Sequence, residues 1–341
     1  MTDRPAPRFR SPLRTPICDL LGIQHPVILG GMGTGTSPEL VSAVSNAGGL
    51  GTIGLSSRRS DEMAALFATI RAQTSAPFGI NFLLFAINDA ALTAALAEKP
   101  AVASFAWAWS DQDLKPYFDR THAAGALVTY MVSGVPDAIR AVKAGADVII
   151  AQGSEGGGHV GTMGTLPLVP MVVDAVGPVP VLAAGGIADG RGLAASLALG
   201  ADGVLIGTKF LATNESPLSP NAKAAILDSD GHDTVLTEIP DIATSSTWPG
   251  AWSRVRRNAF IAEWAGRENE LRRRRGEVVR QIIAARAADD ADHLPLFFGQ
   301  DAGLIDEILP AGEVVRRIVN EAEQVIRERL GRFLDAQVPV N

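Results

Sequence analysis

The chain is poor in the residues that staple or ligate. One cysteine, Cys18, stands among 341 residues, so neither an intramolecular disulfide nor a thiolate metal cluster can form. Histidine occurs five times, without an H-E-x-x-H pattern or a histidine cluster, and no metal site is expected. Basic residues are outnumbered, 30 Lys and Arg against 37 Asp and Glu, for a formal net charge of -7. That balance argues against nucleic acid as the main partner. Long apolar runs are missing too. The longest tract, Val169 to Ala184, is broken by Pro170, Asp174, Pro178 and Pro180, so no membrane span is expected. Met1 to Arg14 carries Arg4, Arg8, Arg10 and Arg14 with no apolar core behind them, and without a signal peptide the expected location is cytoplasmic.

What the chain does have is alternation. From Pro26 to about Phe210, short apolar runs alternate with Ala-rich amphipathic segments, the pattern of repeated βα units around a parallel sheet. Eight strands are predicted: Val27–Gly30, Gly51–Leu55, Gly79–Leu84, Ala101–Trp107, Ala126–Val132, Ala146–Gln152, Pro180–Ala184 and Gly203–Gly207. Ser37 is placed to cap a helix with Pro38 in its first turn, and Gly200 to close a helix over Asp189–Leu199. Eight such units favour a (β/α)8 TIM barrel over an open doubly wound sheet. The organisation read from the chain is a barrel over 14–230, a smaller helical substrate-side domain over 231–310, and a C-terminal helix over 311–335 packing back on the barrel. Ala251–Ala288 and Gly312–Leu330 read as charged helices, and Lys209 to Pro249 as a loop-rich stretch with one helix near Asn221–Leu227. Arg254, Arg256, Arg257 and the run Arg272–Arg275 alternate with glutamates, which reads as a solvated, ion-paired helix face.

In a TIM barrel the residues at the C-terminal strand ends are the site candidates. Here they are Gly31, Met32, Gly33, Asn81, Gln152, His159, Gly185, Gly186, Gly207 and Thr208. His159 follows the glycine loop Gly153-Ser154-Glu155-Gly156-Gly157-Gly158, a place where an imidazole can exchange a proton near neutral pH. Gly185-Gly186 and Gly207-Thr208 end strands seven and eight, where backbone N–H groups commonly cradle a phosphate and a side chain would hold the anion off. Gly49-Leu50-Gly51-Thr52-Ile53-Gly54 matches the dinucleotide fingerprint by letter. It follows a helix and is itself the strand, so the plainer reading is a tight helix-to-strand turn. Phe105, Trp107 and Trp109 read equally well as pocket lining or packing.

Taken in order, these segments resemble the nitronate monooxygenase family of FMN-dependent barrel enzymes. The resemblance runs through Pro26–Gly33, Gly79-Ile80-Asn81, the loop from Gln152 to His159, Ala184–Asp189, Gly207-Thr208-Lys209-Phe210 and Gly299-Gln300-Asp301-Ala302-Gly303. It implies FMN as cofactor, with Gly185, Gly186, Gly207 and Thr208 at its phosphate, and Gly31, Met32, Gly33, Asn81, Gln152, Gly157 and Gly158 along the rest of it. His159 becomes the catalytic residue, acting as base or orienting the substrate. The substrates implied are an alkyl nitronate and molecular oxygen, and the products a carbonyl compound and nitrite. Gly30-Gly31-Met32, in place of an Ala-Pro-Met pattern, is similar to FMN-dependent enoyl-acyl carrier protein reductases, so an NAD(P)H-using enoyl or quinone reductase is the alternative. The sequence leaves a homo-oligomer open.

Overall fold

The computed structural model describes residues 13–56 and 58–335; the arginines read as an N-terminal basic stretch at Arg4, Arg8 and Arg10 lie outside that range. The strands are β1 (Val27–Leu29), β2 (Gly51–Gly54), β3 (Phe78–Leu83), β4 (Val102–Ala106), β5 (Leu127–Val132), β6 (Val148–Gln152), β7 (Gly158–Val160), β8 (Val181–Ala184), β9 (Gly203–Ile206), β10 (Thr234–Thr237) and β11 (Trp252–Arg256). All but β7, β10 and β11 form one parallel sheet in the order β1-β9-β8-β6-β5-β4-β3-β2. A parallel bridge between Ile28 and Leu50 joins its two ends, and the eight predicted strands form a TIM barrel. Because parallel strands are covered on both faces, their residues are apolar without alternation; every residue of β4 and β6 is buried.

Local signals held where they rest on stereochemistry. Ser37 Oγ accepts from Leu40 N at 3.2 Å and caps Pro38–Asn46. Asp189 caps Gly190–Ala198, and Gly200 follows that helix at φ +91°. The glycines of the false fingerprint serve packing: a Cβ on Gly51 would fall 2.1 Å from Val41 O, and one on Gly54 2.3 Å from Gly33 N. Cys18 belongs to the helix Pro16–Leu21, which plugs the bottom of the barrel together with Ile28, Val102, Val148 and Leu182.

The eighth outer helix arrives late. After β9 and the short helix Thr208–Leu211, the chain leaves the barrel and returns at Leu309, where Asn214 N donates to Leu309 O at 3.0 Å. Ala311–Gln324 then fills the gap between Pro38–Asn46 and Gly190–Ala198, so closely that a Cβ on Gly190 would meet Ala322 N at 2.3 Å. The excursion between has its own apolar core, with Ile226, Val255, Phe260, Trp264, Leu271 and Phe298.

Three expectations fail in that excursion. The helix read over Ala251–Ala288 starts only at Ala259; Trp252–Arg256 is a strand, paired antiparallel with β10 and β7. Its Ser253 and Val255 are fully buried with Arg254 between them, and this tertiary burial outweighs helix propensity over five positions. Arg254 is likewise no solvated helix residue. It is 6% exposed and donates to Ser154 O at 2.6 Å and Thr234 Oγ1 at 3.0 Å. The reading does hold for Arg274, which pairs with Glu270 and Glu277 on Glu268–Ala287. In the loop-rich stretch, the helix near Asn221–Leu227 is present as Pro220–Leu227, but strand β10 and helix Ile239–Thr244 were missed because both are too short to show a period.

Candidate active site

The glycine loop after β6 is pinned rather than free. Glu155 accepts from Thr165 N (2.9 and 3.0 Å) and Thr165 Oγ1 (3.0 Å), which sets a carboxylate on the N-terminus of Thr165–Val176, where the helix dipole favours it. Opposite, Arg254 holds Ser154 O. A Cβ on Gly157 would fall 2.4 Å from the Phe298 carbonyl carbon, so backbone packs directly on backbone there.

His159 therefore sits on a strand. In the antiparallel register of β7 with β11 it lies opposite Ser253. Its Nε2 is 2.9 Å from Asp241 Oδ1 and 3.1 Å from Ser253 Oγ, while Ser253 Oγ donates to Asp241 Oδ2 at 2.9 Å. The ring stacks on Trp248 with centroids 3.4 Å apart and an interplanar angle of 12°, and Phe297 lies 5.9 Å away. Phe85 and Trp107 flank Trp248 at 4.6 and 6.2 Å. Trp107 holds φ +56°, a left-handed conformation costly for a bulky residue and typical of functional sites. Phe105 is the packing member of its trio, against Phe118.

This network fixes the tautomer. A carboxylate can only accept, so Nε2 carries the proton shared with Asp241, and the lone pair of the neutral ring lies on Nδ1. Among the described residues nothing hydrogen-bonds Nδ1. Asp241 and Ser253 both meet the same ring nitrogen, so Ser253 is not an activated nucleophile; in a serine triad the two would engage opposite nitrogens.

The remaining candidates gather in smaller groups at the C-terminal strand ends. A Cβ on Gly31 would lie 2.3 Å from Asn81 Cβ, and one on Gly207 3.2 Å from Met32 Sδ. Gly33 turns at φ +52° beside β2, and Gly158 at φ +78° has open space where a Cβ would be. Gly185 and Gly186 turn at φ +93° and +75°, and a Cβ on Gly185 would lie 2.7 Å from Gly153 O. Asn81 Nδ2 donates to Ser104 O at 3.3 Å. Gln152 is 9% exposed, and its Oε1 is buried without a partner. An orphaned amide oxygen is costly in a finished core and is what a ligand donor would satisfy. Together with backbone at Gly185, Gly186 and Gly207 that side chains would block, it fits a planar, phosphate-bearing cofactor.

One assignment changes in kind. The Thr208 hydroxyl accepts from Gly299 N at 2.9 Å, so it ties the excursion to the barrel and leaves the Thr208 N–H as the group it can offer an anion. Next to it lies Asp301, unremarked in the sequence. Burial pushes its carboxyl up to about 7, with the Thr208 hydroxyl and its own backbone N–H pulling the other way, and its Oδ1 has no partner. Asp241, Ser253 and Phe297 were also missed, since they come from separate segments and no spacing links them to His159.

A model of the nitronate monooxygenase family matches residues 14–94 and 83–321. The chain is similar to a probable nitronate monooxygenase of Staphylococcus aureus, 32% identical, covering 91% of this chain and 98% of that protein. It is 42% identical over 232 residues to the (3aS,4S,5R,7aS)-5-hydroxy-7a-methyl-1-oxo-octahydro-1H-indene-4-carboxyl-CoA dehydrogenase of Mycobacterium tuberculosis, a match covering 67% of this chain and 64% of that relative's length. Among solved structures it superposes on FabK from Thermotoga maritima with a TM-score of 0.83 and 35% identity, covering 94% of this chain and 99% of that one. Among the described residues no helix is long and apolar enough to cross a membrane, and no cluster of potential metal ligands is present.

Proposed function

The chain belongs to the nitronate monooxygenase family, a family of flavin-dependent oxidoreductases, and from that membership we propose that it binds FMN and oxidises alkyl nitronates with molecular oxygen to a carbonyl compound and nitrite. The observation that carries the reading is the orientation of His159: Nε2 is held by Asp241 and Ser253, and the Nδ1 lone pair is left unbonded among the described residues.

Bound FMN would supply the electron acceptor. The chain's own residues do the rest. Backbone at Gly185, Gly186, Gly207 and Thr208 would receive the phosphate, and Gln152 Oε1 would take a donor from the cofactor. Gly31, Met32, Gly33, Asn81, Gly157 and Gly158 would border it. His159 Nδ1 takes the proton from the carbon beside the nitro group of a neutral nitroalkane, and Asp241 stabilises the imidazolium that results. For a preformed nitronate the same ring, protonated, hydrogen-bonds the nitronate oxygens. Trp248, Phe297 and Trp107 give the site apolar walls that keep water from the reacting carbon.

A second reading is supported by the 42% identity to a CoA-thioester dehydrogenase. A carbon next to a thioester carbonyl is also acidic, and a base at His159 suits it equally. Anaerobic mixing of the flavin-loaded protein with ethyl nitronate and, separately, with NADH decides between them. Bleaching of the flavin by the nitronate, with oxygen uptake and nitrite release in air without NADH, is the expected result. Bleaching by NADH with no response to nitronates would replace the proposal by a reductase or dehydrogenase acting on acyl thioesters.

A further inference from the structure

Outside the barrel, a groove of about 540 Å3 runs between Gly190–Ala198 and the C-terminal helix with its π-helical turn Val325–Leu330. Its apolar wall includes Leu304, Leu309 and Ile318. Lys209, carried by the short helix that begins at Thr208, lines the groove as well. This lysine is 9% exposed, and among the described residues no hydrogen bond or ion pair engages its ammonium. The ammonium is not sealed from solvent: it opens on the groove it lines, unpaired there and available to an anion.

The acidic groups of the groove do not serve it. Asp189 pairs with Arg191, Glu307 with Arg317, and Glu321 accepts from Gly190 N at 3.0 Å. Asp306 and Glu328 line the rim but are exposed, where water screens them. At the same rim Arg329 and Arg332 have no carboxylate partner among the described residues. The groove abuts the proposed phosphate cradle from outside, sharing the β8 loop at Ala188-Asp189, yet none of the cradle glycines lines it. It is therefore a separate space. Its volume lies in the range of small-molecule sites and far exceeds that of a bare phosphate ion.

We propose that this groove is a second binding site for an organic phosphate of nucleotide size, with Lys209 taking the phosphate at depth, Arg329 and Arg332 at the mouth, and the Leu304, Leu309 and Ile318 wall taking the base or chain. A coenzyme A head group and a nicotinamide dinucleotide share this chemistry. Calorimetric titration of the flavin-loaded protein with adenosine 3′,5′-bisphosphate, with oxidised NAD+ and with inorganic phosphate separates the sources. At least one organic phosphate saturates the protein, and Lys209→Met weakens it roughly tenfold to a hundredfold, as expected for one charge-assisted contact. The flavin absorbance of that variant stays unchanged. Arg329→Gln, on the exposed turn, weakens binding about threefold and serves as the test if Lys209→Met does not fold. Absence of saturable binding, equal affinity in wild type and variants, inorganic phosphate binding as tightly as the nucleotides, or flavin lost from Lys209→Met would each overturn the site. None of these readouts depends on turnover, so the groove stands or falls apart from the nitronate reading.

Discussion

Around β6, β8 and β9 the barrel mouth presents backbone, at Gly153, Gly156, Gly185, Gly186 and Gly207; around β7 and β11 it presents side chains, His159, Asp241, Ser253 and Trp248. The first surface is built within the barrel from loops whose glycines hold left-handed or crowded positions. The second sets His159, on the short strand after β6, against Asp241, Trp248 and Ser253 from the excursion inserted between the eighth strand and its helix. A backbone surface can recognise a phosphate and a flat ring in many enzymes of one fold, whereas under the proposed function the side-chain roof would decide which carbon is deprotonated. Under the proposed function, that division assigns cofactor binding to the cradle and substrate choice to the roof.

The largest effect separating the two surfaces is expected at Gly186. Valine there would have to adopt φ +75° with its Cβ about 3.1 Å from Glu155 Cβ, so Gly186→Val should lose flavin retention altogether while the roof stays folded. Flavin absorbance of the purified variant, with the circular dichroism unchanged, is the measurement. A fully loaded Gly186→Val would remove the cradle from this position.

His159→Ala makes the opposite cut. Flavin should remain, and turnover of neutral nitroalkanes should fall by roughly 10²–10⁴-fold, the usual worth of a positioned general base. Preformed nitronates need no base and should lose far less. Equal losses on both would assign His159 to binding alone, and an unchanged rate on both would remove it from the chemistry.

Asp301 lies where the surfaces meet, beside Thr208 and below Gly299. Its carboxyl is raised to about 7 by complete burial, from an ordinary 3.8. The folded protein thus keeps a proton that the unfolded chain releases. The associated stability is fully present below about pH 4, is lost as pH rises towards 7, and stays lost above it. Asp301→Asn removes that loss, on the order of 4 kcal/mol as an upper bound at about 1.4 kcal/mol per unit. The variant's advantage in denaturant melts should therefore widen between about pH 4 and pH 7 and hold steady above that. A constant gap would mean that Asp301 ionises normally.

The barrel was legible because its signals are local: eight apolar runs, Ser37 before Pro38, Gly200 after a helix, and glycines where a Cβ would strike backbone. The same logic pointed to Gly185, Gly186, Gly207 and the loop before His159. What was illegible depends on pairing across long separations. Asp241 reaches His159 from a six-residue helix, and Ser253 arrives on a strand whose arginines imitate a charged helix. Asp301 stands in a stretch that resembles the family; its burial, which makes it unusual, follows from tertiary packing alone.

The smallest effects test the roof from within. Asp241 and Ser253 meet the same nitrogen of His159, but only Asp241 fixes the tautomer and meets the charge formed on the ring. In Asp241→Asn the amide can turn its NH2 towards Nε2, which moves the ring proton to Nδ1 and blocks the base. Turnover of neutral nitroalkanes should then fall by roughly 10- to 100-fold, with little change on nitronates. Ser253→Ala removes one hydrogen bond to a carboxylate that keeps its bond to the ring. A net cost of about 1 kcal/mol corresponds to roughly fivefold in rate. The two variants should both retain flavin, and they should differ in kcat more than in KM because neither residue is placed against the substrate. If Ser253→Ala proved as damaging as Asp241→Asn, the proton on Nε2 would be shared chiefly with the serine, and the orientation argued for His159 would have to be rebuilt around Ser253.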